Sequence, residues 1–183
     1  PQLYDDQFWW KNDDLAFWKE QLVSNGPGPI LELAAGTGRI AEPLLRNNLD
    51  YTGIDLSKKY VKYANQKLGS EEKQIIKYGD IRNFKLNRVF KYIFIGFNSF
   101  LHLLNEKDVI KCFKCLKTHM SLDSILVIDI FNPMNHIFNS QNKSKELLEF
   151  FDNTIQSKAI IKEKLIYEDI NQIVNVKWEY ING

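Results

Sequence analysis

The 183-residue chain has only two cysteines and three histidines, and its 24 basic residues nearly balance its 23 acidic ones. Cys112 and Cys115 lack the second pair that a zinc site of this type requires. Their C-F-K-C spacing lies inside an amphipathic helical pattern, so they read as reduced, packed thiols rather than a redox pair. A net charge of +1 provides no global field to recruit nucleic acid or an anionic membrane. No apolar run approaches the roughly 18 residues of a membrane span. The opening PQLYDDQFWW lacks the basic-then-apolar order of a secretion signal, which makes the cytoplasm the expected compartment. Internal repeats and low-complexity tracts are missing too. What remains is an ordinary globular composition, 44% hydrophobic and 26% charged, long enough to bury a core.

The most informative stretch is Pro29 to Leu45, PILELAAGTGRIAEPLL. An apolar run ends in Glu32, passes through Ala34, Ala35, Gly36 and Gly38, and gives way to a helical pattern. That is the layout of a strand, a tight glycine turn and a helix, a pocket for a nucleotide-like ligand. Glycine allows the backbone to pass close to such a ligand because no Cβ intrudes.

Around it the chain alternates strand and helix. Leu3 to Val23 is rich in aromatics, among them Tyr4, Phe8, Trp9, Trp10, Phe17 and Trp18. Asp13 or Asp14 is expected to cap a helix whose inner stripe is Leu15, Trp18 and Leu22. Further strands are predicted at Tyr51 to Leu56, Ile75 to Tyr78, Lys91 to Ile95 and Ser124 to Phe131, the last buried on both faces. Helices follow Ser57 and Asn105, with Val109, Cys112, Phe113 and Leu116 pointing inward from the second. After Asn132 the pattern changes: a polar loop from His136 to Ser144, a short helix at Glu146 to Phe150, then two alternating strands, Lys158 to Glu168 and Ile173 to Tyr180. The expected fold is α/β: a Rossmann-like parallel sheet flanked by helices, with a small appended antiparallel sheet. The expected division is residues 1–131 as ligand-binding core, including the aromatic N-terminal helix, and 132–183 as an antiparallel lid hairpin.

Glu32, Asp55, Asp80 and Asn98 all fall at the C-terminal ends of successive predicted strands, the edge where parallel sheets bind ligands. Each alone could be a turn or cap residue. Four in order is a pattern.

With these residues in place, the sequence resembles the class I S-adenosylmethionine-dependent methyltransferases. Glu32 to Gly38, E-L-A-A-G-T-G, is similar to their first motif, with Ala34 where many members carry glycine. Asp55 in G-I-D-L-S resembles the acid that binds both ribose hydroxyls, and Gly79-Asp80-Ile81 the adenine motif, in which the acid meets the amino group and the next residue the ring. Phe97-Asn98-Ser99-Phe100-Leu101-His102 resembles the fourth-strand motif of small-molecule members, and it replaces the N/D-P-P-Y/F of enzymes acting on nucleic acid or protein. The resemblance implies S-adenosyl-L-methionine as cofactor, held by Glu32, Ala34, Ala35, Gly36, Gly38, Asp55, Leu56, Asp80, Ile81, Phe97 and Asn98. It implies methyl transfer to N or O of a small metabolite, with His102 or Tyr4 as a base, no metal, and neither nucleic acid nor membrane as partner. The family's sheet usually ends in two further strands, and the sequence to Gly183 holds no candidates for them: either the chain is truncated, the missing segment lies on another chain, or two protomers pair as a homodimer that covers the sheet edge. Two alternatives stand beside this reading. G-T-G-R-I-A also fits a dinucleotide fingerprint, which would make the protein an NAD-dependent oxidoreductase. A non-catalytic methyltransferase-fold fragment that only binds ligand is the other.

Overall fold

The structure is a computed structural model that describes residues 1–132 and 143–182. It divides into two compact units, one formed by residues 12–130 and the other by residues 1–11 together with the chain from Phe131 onward.

The larger unit is built on five parallel strands, β1 (Ile30–Leu33), β2 (Tyr51–Asp55), β3 (Ile76–Tyr78), β4 (Phe90–Ile95) and β5 (Met120–Ile128), in the order β3-β2-β1-β4-β5. The chain winds outward from β1 to β3, then crosses back to β4 on the other side of β1. The switch point therefore falls between β1 and β4, where such sheets open a crevice at their carboxyl ends. Successive strand residues face opposite sides. Ile30, Tyr51, Tyr92 and Phe94 enter one apolar cluster with Trp18, Leu22, Ile40 and Leu44. Leu31, Leu33, Ile54, Ile93 and Ile95 enter the other with Phe84, Cys112 and Leu116. Ordinary burial coefficients make these two layers the main source of the unit's stability.

The helices are α2 (Leu15–Gln21), α3 (Ala41–Arg46), α4 (Lys58–Lys67) and α5 (Glu106–Lys117), with a 3₁₀ turn at Ser99–His102. Two of the expected caps form: the Ser57 hydroxyl accepts from Tyr60 N at 3.3 Å, and the Asn105 side chain from Asp108 N at 2.9 Å. Asp14 does not cap α2. Its backbone is already helical, and its carboxylate is engaged elsewhere. On α5, Cys112 and Leu116 are buried, while Phe113 lies largely exposed with its ring 5.7 Å from that of Phe100. Burial pushes the Cys112 thiol up to about 11 and raises that of Cys115 too, away from the reactive thiolate. His119 is a packed core residue: it accepts from Leu86 N through Nε2 at 3.0 Å and stacks on Phe84.

The apolar run expected as a strand over 124–131 is strand only to Ile128, where β5 ends, and it is not buried on both faces. β5 is the edge of the sheet among the described residues, so Ile125 to Ile128 are only half-buried and Leu122 is fully exposed. Apolar runs report a strand's chemistry, and neighbours decide its burial.

The smaller unit carries helix α1 (Gln2–Gln7) and an antiparallel sheet β6-β7-β8, formed by Ser144–Asp152, Ser157–Glu168 and Ile173–Asn182. The stretch Glu146 to Phe150, expected to be helical, lies within β6 and pairs with β7 along its length. K-E-L-L-E-F-F has good helix formers, and pairing with a neighbouring strand overrides that local preference. The hairpin is thus the second half of a three-stranded sheet. Residues 136–142 of the expected polar loop, His136 among them, lie outside the described residues. Asp6 ties α1 to the sheet by accepting from Asn153 N at 2.9 Å and Asn153 Nδ2 at 2.7 Å. Tyr180 donates to Gln7 at 2.8 Å, and Leu3 packs against Phe150, Ala159 and Ile161. The aromatic N-terminus therefore divides: its first eleven residues go with this sheet, and the segment from Asn12 goes with the parallel core.

Candidate functional site

At the carboxyl end of β1 the chain makes the glycine turn. Ala34 takes φ 59°, Gly36 57° and Gly38 79°, all left-handed. A Cβ on Gly36 would meet nothing within 4 Å, whereas one on Gly38 would lie 3.1 Å from Leu68 and 3.3 Å from Ile76. Gly38 is therefore needed for packing against α4 as well as for its backbone angle, and Gly36 borders open space. Between them Thr37 is only 1% exposed, and its hydroxyl has no hydrogen-bond partner among the described residues. A buried polar atom without a partner is costly in the folded state, about 1–3 kcal/mol.

Asp55, at the end of β2, holds this turn. One carboxylate oxygen accepts from Gly36 N at 2.8 Å, the other from Ser57 N at 2.8 Å at the start of α4. The same side chain thus locks the glycine turn to a helix N-terminus. Leu56 next to it is 60% exposed.

Glu32 is buried at the base of the turn, 4% exposed, and accepts a 2.5 Å hydrogen bond from the Tyr51 hydroxyl. Burial lifts its pKa to about 8, against the pull of Tyr51 and the nearby Arg39; Asp55 and Asp14 add to the rise. Burial and the neighbouring Glu32 likewise raise the Tyr51 phenol. Gly53 leaves room for this pair: a Cβ there would approach the Tyr51 hydroxyl to 2.8 Å and Ala35 to 2.9 Å.

Asp80 follows β3. Arg82 clamps it with Nε at 2.9 Å and Nη2 at 2.6 Å, and reaches Asp108 on α5 with Nη1 at 2.7 Å. The Arg82 guanidinium holds the Asp80 carboxyl below the usual carboxylate range. Ile81 packs into the second apolar layer.

After β4, Phe97 and Asn98 are both left-handed, φ 53° and 63°. Two consecutive non-glycine residues there cost about 1–3 kcal/mol each, and they persist only when their surroundings hold them. Asp129, just past β5, accepts from Phe97 N at 2.9 Å, and the Arg39 guanidinium lies 5.4 Å from the Phe97 ring centroid. Arg39 in turn grips Asp14 with both terminal nitrogens, at 2.7 and 2.9 Å.

The fold thus gathers Glu32, the Ala34 to Gly38 turn, Asp55, Asp80 and the Phe97–Asn98 turn along the carboxyl ends of neighbouring strands. His102 closes the 3₁₀ turn beyond them and is exposed. Tyr4 belongs to the smaller unit, half-buried with its ring 4.7 Å from that of Phe8. Sequence reasoning missed Tyr51, Thr37, Arg39, Arg82 and Asp129. The last was within reach: a lone acid closing the apolar run S-I-L-V-I-D extends the series of strand-end acids by one.

Comparison with known proteins bears on this arrangement. The family model described as "Methyltransferase domain" matches residues 30–123. YqeM of Bacillus subtilis (strain 168), provisionally named a methyltransferase, is 31% identical over 116 residues, which span 62% of this chain and 47% of that protein. The chain therefore spans about half the length of that curated relative. Among solved structures, the CcbJ methyltransferase of Streptomyces caelestis superposes with a TM-score of 0.76 at 19% identity, covering 98% of this chain and 75% of its own. CalS10 of Micromonospora echinaspora, an amino pentose methyltransferase solved with SAM bound, gives 0.70 at 13% identity, over 93% and 74%. At these identities the likeness is one of fold.

Proposed function

The chain belongs to the methyltransferase-domain family, and we propose that it binds S-adenosyl-L-methionine along the β1–β4 strand ends and methylates an N or O atom of a small metabolite. The observation that carries the reading is the Asp55 carboxylate, fixed between Gly36 N and Ser57 N beside a glycine turn bordered by open space. The residues fit the cofactor's chemistry. A carboxylate with both oxygens anchored keeps further lone pairs for a ribose diol. Gly36 admits close approach, and the unpartnered Thr37 hydroxyl is a polar atom awaiting a partner. Glu32, Ala34 and Ala35 border the methionine end, Leu56, Asp80 and Ile81 the adenine end, and Phe97–Asn98 the donor wall.

When bound, S-adenosylmethionine supplies a methyl group on a sulfonium, already activated for in-line displacement. This chain's residues are left to bind, align and exclude water. For a base we assign His102, exposed at the end of its 3₁₀ turn, with Tyr4 as the alternative. CalS10 is an amino pentose methyltransferase of the same fold, which makes small amines a first choice among the acceptors to test. No helix among the described residues is long and apolar enough to cross a membrane.

Calorimetric titration with S-adenosylhomocysteine and with NADH tests the reading, followed by labelled-methyl transfer to a panel of small amines and alcohols. The expected result is micromolar binding of the first and none of the second; NADH binding alone overturns it in favour of a dehydrogenase. S-adenosylhomocysteine binding with no transfer to any acceptor supports the ligand-binding fragment instead.

The half-buried outer strand β5 motivates one further expectation, pairing of two copies across that edge. Sedimentation of this chain should give a dimer mass at micromolar concentration; a clean monomer of full thermal stability rules the pairing out.

A further inference from the structure

Resting on the reading of the strand ends as a donor site, we propose that Arg39 is a positioning residue: with Asp14 it latches the left-handed Phe97–Asn98 turn into its ligand-binding conformation.

The turn needs a latch. Phe97 and Asn98 follow one another at φ 53° and 63°, and neither is glycine. A bulky residue such as phenylalanine is a true outlier there. Asp129 pins the backbone by accepting from Phe97 N, while the ring of Phe97 faces the Arg39 guanidinium. These two contacts restrain opposite parts of one residue, its amide and its ring.

Arg39 is itself aimed. Asp14 takes both of its terminal nitrogens, and the pair is largely shielded, with 17% and 14% of the two side chains exposed. Asp14 is held by a 3.2 Å bond from Trp18 Nε1. Trp18 is fully buried, 4.8 Å from the ring of Phe94 on β4, and a Cβ on Gly96 would come within 3.3 Å of it. The register thus runs from the core through Trp18, Asp14 and Arg39 to Phe97. This is why Asp14, at a helix start, forgoes the cap.

Arg39 also leaves the glycine turn one residue after Gly38, whose carbonyl accepts from Glu42 N to begin α3. It therefore joins the turn after β1 to the turn after β4, the two walls of the crevice at the switch point. A lysine could supply the charge but not the planar two-pronged grip on Asp14.

The test compares binding and amide exchange in the intact chain. Arg39→Met should bind S-adenosylhomocysteine about tenfold more weakly, with an unchanged far-UV spectrum, and exchange its 97–98 amides about tenfold faster, the scale of losing one such restraint. Arg39→Lys should recover only part of both. Phe97→Gly provides the decisive background: glycine adopts the left-handed region freely and has no ring for Arg39 to hold, so there the Arg39→Met penalty should shrink to about twofold or less. An equal penalty in both backgrounds makes Arg39 a general anchor of the fold and overturns the latch. Unchanged exchange at 97–98 in Arg39→Met overturns it whether or not ligand binds. If the parent chain binds no S-adenosylhomocysteine while Arg39→Met still accelerates exchange only where Phe97 is present, the latch stands and the donor-site reading falls.

Discussion

Asp55→Ala is expected to weaken S-adenosylhomocysteine binding by about 10²–10⁴-fold. The variant removes two charge-assisted hydrogen bonds to a ribose diol, each of about 1.5–3 kcal/mol, at about 1.4 kcal/mol per tenfold. The structure adds a second loss. The same carboxylate receives Gly36 N and Ser57 N, so the glycine turn and the start of α4 each lose an acceptor. Asp55→Asn should not rescue binding, because one of its two anchored oxygens becomes an NH₂ group facing an N–H donor. Calorimetry on variants matched by circular dichroism checks the result. Parent-like affinity in Asp55→Ala would place the ligand elsewhere.

The second large effect is on stability, and it depends on pH. The Glu32 carboxyl has its folded pKa lifted from 4.5 to about 8, chiefly by burial. Between those values the native state keeps a proton that the unfolded chain has released. Stability contributed by this group is therefore whole below pH 4.5 and is lost as pH rises through about 8. Glu32→Gln removes the titration and keeps an oxygen to accept from Tyr51. Urea unfolding of the two proteins should nearly coincide at about pH 5 and diverge with rising pH, the variant gaining a few kcal/mol by about pH 8.5. Parallel curves across that range would show Glu32 ionising freely in the folded state.

Much of this architecture was legible because it rests on local chemistry. Alternating apolar runs and capped helices announced a covered parallel sheet, and Ser57 and Asn105 cap where their side chains and spacing said they would. The acids at 32, 55 and 80 could be placed near strand ends because an acid at the close of an apolar run needs no partner to be recognised: Glu32 is one residue from the end of β1, Asp55 ends β2, and Asp80 lies two residues past β3. Reading failed where the partner came from far along the chain. Asp14 looked like a cap until Arg39, 25 residues later, took its carboxylate. The 146–150 stretch looked helical until β7 paired with it. The run at 124–131 looked doubly buried until the strand order put it at an edge.

The sequence by itself determined the chemical inventory of this protein: an α/β chain with a glycine turn, acids at strand ends, and neither a metal cluster motif nor a membrane-length apolar run. Only the tertiary structure decided how those residues are set. It buried Glu32 against Tyr51, clamped Asp80 with Arg82, and bent Phe97 and Asn98 into left-handed backbone held by Asp129 and Arg39. The reason is physical. Propensity and period act over a few residues, whereas burial, pKa and backbone strain are set by groups that sequence keeps apart and packing brings within 3 Å.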